Sequence, residues 1–171
     1  MCAEMHPLPF LGCNKERSNG CFSNQIIVCL HVPYKGAFVT INDRLTSKVW
    51  IRKLSGKDAA PLALKTIEAL QPVKDLIHTI TADNGKEFAK HQEIAKELQF
   101  SFYFYKPFHS WERGANENTN GLIRQYIPKG TDFSEITDEF VSWVENKPNN
   151  RPRKRLGYLT PNEKFNSILT N

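Results

Sequence analysis

One stretch, Thr79 to Tyr126, constrains this chain more than any other. Its left edge is an apolar, β-rich run, Leu76-Ile77-His78-Thr79-Ile80-Thr81-Ala82, that stops at Asp83-Asn84-Gly85-Lys86-Glu87-Phe88. Its right edge is Trp111-Glu112-Arg113-Gly114-Ala115-Asn116-Glu117-Asn118, followed by Thr119-Asn120-Gly121-Leu122-Ile123-Arg124-Gln125-Tyr126. The first edge predicts a strand ending at Asp83, and the second a helix with Glu117 in its first turns. A short helix, an aromatic strand and a loop fit between them. An Asp at a strand end and a Glu from a later helix can meet in space. Two such carboxylates can share hard divalent cations, which take oxygen ligands. Paired metal ions suit in-line displacement at phosphorus.

The rest of the chain supplies a frame for that pair. Residues 1–25 hold prolines, glycines and asparagines without a period, and read as irregular. Ile26-Ile27-Val28-Cys29-Leu30 reads as a buried strand, and Ala37-Phe38-Val39-Thr40-Ile41 as the next. Lys48-Val49-Trp50-Ile51-Arg52-Lys53 alternates like a half-buried strand. Short turns between the three predict an antiparallel meander. Ser55 to Leu70 predicts a helix, with Ser55 as N-cap and Leu62, Thr66, Ala69 and Leu70 as its apolar face. Leu76–Ala82 is the fourth strand, Glu87–Leu98 a helix and Phe100–Tyr105 the fifth strand. Glu112–Tyr126 is the Glu-bearing helix, and Ser134–Val144 a helix broken by Pro148. Thr160-Pro161-Asn162-Glu163 starts a terminal helix, with Thr160 as cap, Pro161 at N1 and Glu163 at N3.

Composition bounds the function classes. The 171 residues fit one domain, and 40% are hydrophobic and 24% charged, as in an ordinary globular protein. No apolar run approaches the roughly 20 residues of a membrane helix. A cytoplasmic location is expected, with no membrane partner. The net charge of +5 permits a polyanionic partner without proving one. All four cysteines (Cys2, Cys13, Cys21 and Cys29) lie near the start and lack zinc-ligand spacing, so free thiols are expected. Residues 147–158 carry Lys147, Arg151, Arg153, Lys154 and Arg155 and no acid. Such a run suits phosphate contacts, and equally a solubilising surface.

Residue type alone leaves other readings open as well. Asp-Asn-Gly is a common turn, in which Asp bonds to backbone. Glu117 alone is an ordinary helix-surface acid, and Glu112 competes with it as a carboxylate favoured by the helix dipole. Asn116, Asn120 and Arg124 lie at helical spacing around Glu117 and predict a face that approaches phosphates. Lys86 fits a phosphate contact or a solvated turn. Trp111 fits base stacking or packing under the loop, and His109 an active-site group or a plain loop histidine.

Three separated motifs carry a resemblance: Thr81 to Phe88, Trp111 to Asn118, and Asn149-Asn150-Arg151-Pro152-Arg153-Lys154-Arg155-Leu156-Gly157-Tyr158. In this order they resemble the catalytic domain of bacterial insertion-sequence transposases. The IS-thirty family is the nearest group, within the DDE transposase and retroviral-integrase superfamily. The likeness runs from about Lys35 to Phe165. It implies an α/β, ribonuclease-H-like fold, with a five-stranded mixed sheet flanked by helices and a catalytic core over residues 26–171. It implies an Asp-Asp-Glu triad holding two Mg2+ ions, with Mn2+ as a substitute. Asp83 matches the second Asp and Glu117 the Glu, as catalytic residues and metal ligands. The implied partner is DNA, both transposon ends and target, cut by hydrolysis and then attacked by the freed 3′-OH. Lys86, Arg124, Arg151, Arg153, Lys154 and Arg155 are the implied DNA-binding residues. A homo-oligomer, or pairing with an intact transposase, is implied too, in nucleoid-associated cytoplasm.

The sequence departs from the family in three places, the least of them Pro148, in a position usually apolar. The first Asp belongs on the first strand, where counting back from Lys35-Gly36 arrives near Ile27. No Asp or Glu lies between Arg17 and Asn42, and Asp43 reads as a turn cap. The upstream helix-turn-helix of the family has no room here. The expectation is an N-terminally truncated transposase with impaired catalysis. The alternative is a non-catalytic remnant that binds DNA or dimerises with an intact transposase.

Overall fold

A computed structural model of the chain describes residues 25–31, 36–105, 114–128, 130–133 and 135–170. Five strands form one sheet: β1 (Gln25–His31), β2 (Ala37–Asp43), β3 (Val49–Leu54), β4 (Thr79–Ala82) and β5 (Ser101–Phe104). Their order is β3-β2-β1-β4-β5. β1, β2 and β3 form the expected antiparallel meander. β4 lies parallel to β1, and β5 parallel to β4, so the sheet is mixed. The helices are α1 (Ala59–Leu70), α2 (His91–Leu98), α3 (Gly114–Ile123), α4 (Asp138–Asn149) and α5 (Pro161–Leu169).

Strand alternation sorts side chains onto two faces. On one, Ile26, Val28, Val39, Ile41 and Ile80 pack with Leu62 and Leu70 of α1, Ile94 and Leu98 of α2, and Phe165 of α5. On the other, Phe38, Val49 and Ile51 pack with Ile123, Ile127, Phe133, Val141 and Val144. Each fully buried Leu, Ile or Val contributes about 1.5–3 kcal/mol relative to exposure. The side chains of Cys29, Thr40 and Asn42 share the second face with Phe38, because residues two apart on a strand point the same way.

The outer edge of β3 is closed by α4. Asn149 Nδ2 donates to Val49 O (2.8 Å), and Asn149 Oδ1 accepts from Val49 N (2.9 Å). Glu145 Oε2 accepts from Ile51 N (2.7 Å) and pairs with Arg52 (2.6 Å). Side chains thus replace a sixth strand and remove the open template an edge presents.

Several boundaries differ from expectation. α1 starts at Ala59, after Asp58, so Ser55 is not its cap. Residues 71–76 form a 3-10 turn, which shortens β4 to Thr79–Ala82. A 3-10 turn at Lys86–Phe88 precedes α2. α4 runs from Asp138, capped by Thr137 accepting from Phe140 N, and continues through Pro148 to Asn149. The capping box at Thr160 and Glu163 is present as read. Of the expected irregular segment 1–25, residues 1–24 lie outside the described residues, as do His109, Trp111 and Glu112, and Gln25 instead begins β1. No described helix is long and apolar enough to cross a membrane.

Candidate active site

The site begins where parallel pairing ends. Val28 of β1 lies opposite Ala82 of β4, so the next residues, Cys29 and Asp83, come side by side. The buried Cys29 thiol lies 3.8 Å from Asp83 Oδ2. Asn116, buried on the first turn of α3, donates from Nδ2 to Cys29 Sγ (2.8 Å). Asn42, at the end of β2, donates to Asn116 Oδ1 (2.9 Å). Four polar side chains thus connect β2, α3, β1 and β4 on one face of the sheet.

Asp83 therefore faces the side covered by α3. Beyond it the chain turns sharply, with Gly85 N donating to Asp83 O (2.9 Å) and Phe88 N to Gly85 O (3.1 Å). Lys86 is exposed on that turn. Glu117 follows Asn116 and is exposed, about 100° further round the helix. The expected common face of Asn116, Asn120 and Arg124 divides. Asn116 turns inward against Cys29, while Glu117 and Arg124 face solvent. Arg124 itself stands in the turn after α3.

Asp43 has the capping role read from sequence. Its carboxylate accepts from Leu45 N (3.0 Å), Thr46 N (3.1 Å) and Thr46 Oγ1 (2.5 Å). The basic run packs beside that turn. Arg155 donates to Arg44 O (3.0 Å), Leu45 O (3.4 Å) and the Ser47 hydroxyl. Arg153 is half-buried, and burial, then the neighbouring Arg151 and Arg155, hold its pKa below the usual guanidinium value. Arg151 and Lys154 are exposed. Between this run, Arg44 and Asn118–Thr119 of α3 lies a cleft of about 450 Å³. A larger groove of about 960 Å³, along β3, α1 and α4, contains none of the sequence-predicted residues.

Metal fit is decided by donor chemistry. Mg2+ takes oxygen ligands and holds them in near-octahedral order. Here Asp83 offers a carboxylate, but its β1 neighbour Cys29 offers a thiol, a soft donor suited to other metals, and the exposed Glu117 is not gathered with them. Among the described residues no group of three His, Cys, Asp or Glu side chains is gathered to hold a metal. These residues do not fit a pair of Mg2+ ions. Sequence reading placed the missing ligand near Ile27, but Ile27 pairs with Thr81 and is wholly buried. Cys29 and Asn42 were missed; the polar pair that ends β2, Asn42-Asp43, was the available signal for Asn42.

A mixed sheet of this order, with helices on both faces, defines the ribonuclease-H-like class, and a solved structure agrees. The catalytic core domain of BIV integrase superposes with a TM-score of 0.66 at 18% identity, covering 86% of this chain and 97% of that one. No family model matches the sequence. The transposase for insertion sequence element IS4351 of Bacteroides fragilis is 74% identical over 136 residues, 80% of this chain and 42% of that protein. The IS1086 transposase of Cupriavidus metallidurans is 37% identical over 130 residues, 75% of this chain and 38% of its own length. Transposase InsI of IS30C from Escherichia coli is 40% identical over 125 residues, 72% and 33%. Over the matched residues the chain is related to these insertion-sequence transposases. It spans well under half the length of these relatives.

Proposed function

We propose that this chain acts on DNA as the catalytic region of a DDE transposase whose strand cleavage and transfer are impaired. Asp83 and Glu117 are its second and third carboxylates. The observation that carries this reading is the Cys29 thiol, 3.8 Å from Asp83 Oδ2, where a metal-holding first carboxylate would be needed. DNA lies along the basic cleft, with Lys86, Arg124, Arg151 and Lys154 reaching phosphates from exposed positions. Arg153 and Arg155 serve DNA more indirectly, since both already donate to backbone carbonyls. Such contacts carry no sequence information and weaken steeply with salt.

The test is nicking of supercoiled DNA carrying the element's ends, in Mg2+ and in Mn2+. The expected result is slow nicking, lost in Asp83→Ala and Glu117→Ala and raised at least about tenfold by Cys29→Asp, equivalent to about 1.4 kcal/mol off the barrier. Nicking that persists in Asp83→Ala refutes the assignment. The same thiol favours a second reading, a non-catalytic remnant that binds DNA or pairs with an intact transposase. Salt-sensitive DNA binding, with no nicking even in Cys29→Asp, selects it.

A further inference from the structure

A second cluster lies away from Asp83, on the solvent side of α4. Phe140, Trp143 and Lys147 are spaced i, i+3 and i+7 and share one helix face. Trp143 is 46% exposed, an unusual setting for so large an apolar ring. Phe140 stacks near it (5.6 Å, 24°) and Tyr126 meets it edge-on (5.3 Å, 87°). The two neighbouring rings hold Trp143 as a plate. Lys147 Nζ lies 4.2 Å from its ring centroid. Beside the plate, a cleft of about 540 Å³ runs past Lys147 to Arg151 and Pro152, with no acidic residue in its lining.

We propose that Trp143 is a stacking platform for an unpaired nucleotide of DNA, with Lys147 and Arg151 holding the adjoining phosphates. This rests on the reading that the chain acts on DNA. The occupant follows from charge and shape. A flat aromatic plate opening onto a cleft lined by two cations and no acid matches a base with its phosphates. Within a duplex each base face is covered by its neighbours, so only an unpaired base offers a free one. Lys147 must leave the ring face to admit the base. An exposed cation–π contact is worth about two- to fivefold in equilibrium, whereas base stacking on an aromatic side chain is worth about five- to 150-fold. The exchange favours the base, and it frees the ammonium for phosphate.

The test is fluorescence anisotropy of a labelled oligo(dT) and of a duplex of equal length, at fixed salt, with the full chain. Trp143→Ala is expected to weaken oligo(dT) binding by about five- to 150-fold. Trp143→Phe retains most of the affinity, and duplex affinity changes less than about twofold in both. Oligo(dT) also quenches tryptophan emission in the natural chain and leaves that quench absent in Trp143→Phe, a readout that needs no alanine variant. Unchanged oligo(dT) binding in Trp143→Ala, or an equal loss for duplex, overturns the proposal. So does a dimer, seen by sedimentation, that Trp143→Ala dissociates while oligo(dT) binding stays intact. Failure of the natural chain to bind either DNA refutes the broader DNA reading instead.

Discussion

Asn149 begins a motif that resembles transposases, yet its position gives it a structural task. It is 2% exposed and forms two hydrogen bonds with Val49, which is fully buried on the edge strand β3. Asn149→Ala removes both partners at once and leaves a buried N–H and a buried C=O unsatisfied. Each such group costs about 1–3 kcal/mol, so the sum is about 2–6 kcal/mol. For a chain of this size that corresponds to a fall in Tm of roughly 5–20 °C. Urea unfolding followed by circular dichroism measures the loss. The neighbouring Asn150 is exposed and bonds to Asn146 O and Asn162 Nδ2, so Asn150→Ala is the control. A loss in Asn149→Ala below about 0.5 kcal/mol, the range of ordinary surface changes, would refute the edge-closing role.

Other predictions concern backbone, caps and the basic run. Gly36 has φ +87°, and a Cβ there would come within 2.6 Å of Phe133 Cβ. Gly36→Ala therefore combines left-handed strain with overpacking, an expected loss of about 2–5 kcal/mol in a thermal or urea melt. Glu163 accepts from Thr160 N (2.7 Å), and that backbone bond lowers its pKa below 4.5. A lowered folded pKa means its contribution is present above pH 4.5 and disappears as pH falls through the folded value. Melts across the acid range should show a smaller pH dependence in Glu163→Gln. Thr160→Ala should cost about 1 kcal/mol in the same melts. Arg155→Ala should destabilise the β2–β3 turn as well as weaken DNA binding, whereas Lys154→Ala should reduce only binding and its salt slope.

Local chemistry was legible where it is decided locally. The Thr160–Glu163 capping box, the three-stranded meander and the Asp43 turn each rest on residues within a few positions of one another. α4 was misplaced by about four residues. Ile136, Phe140 and Val144 suggested an earlier helix, but Thr137 caps the real one and Ile136 packs before its start. Pro148 did not stop the helix, because it lies in the last turn, where Asn150 N still reaches Asn146 O and Asn149 locks onto β3. The candidate site was half legible. Asp83 and Asn116 of α3 meet on one face of the sheet through Cys29, whereas Glu117 stays exposed. That Cys29, rather than Ile27, stands beside Asp83 depends on the register between β1 and β4, strands separated by two other strands and a helix in sequence. No local pattern carries that register.

The central claim is that a thiol occupies the place where metal-dependent chemistry needs a carboxylate. Thermal melts of the natural chain, Cys29→Asp and Cys29→Asp/Asp83→Ala, with and without Mg2+, test it directly. Without metal, Cys29→Asp should melt lower, because two carboxylates then face each other. With Mg2+ at about 100 times its dissociation constant, that variant should gain about 2.7 kcal/mol, roughly 5–11 °C, and the double variant should lose the gain. The natural chain should show little shift. A Mg2+ shift of the same size in the natural chain, abolished by Asp83→Ala, would contradict the account.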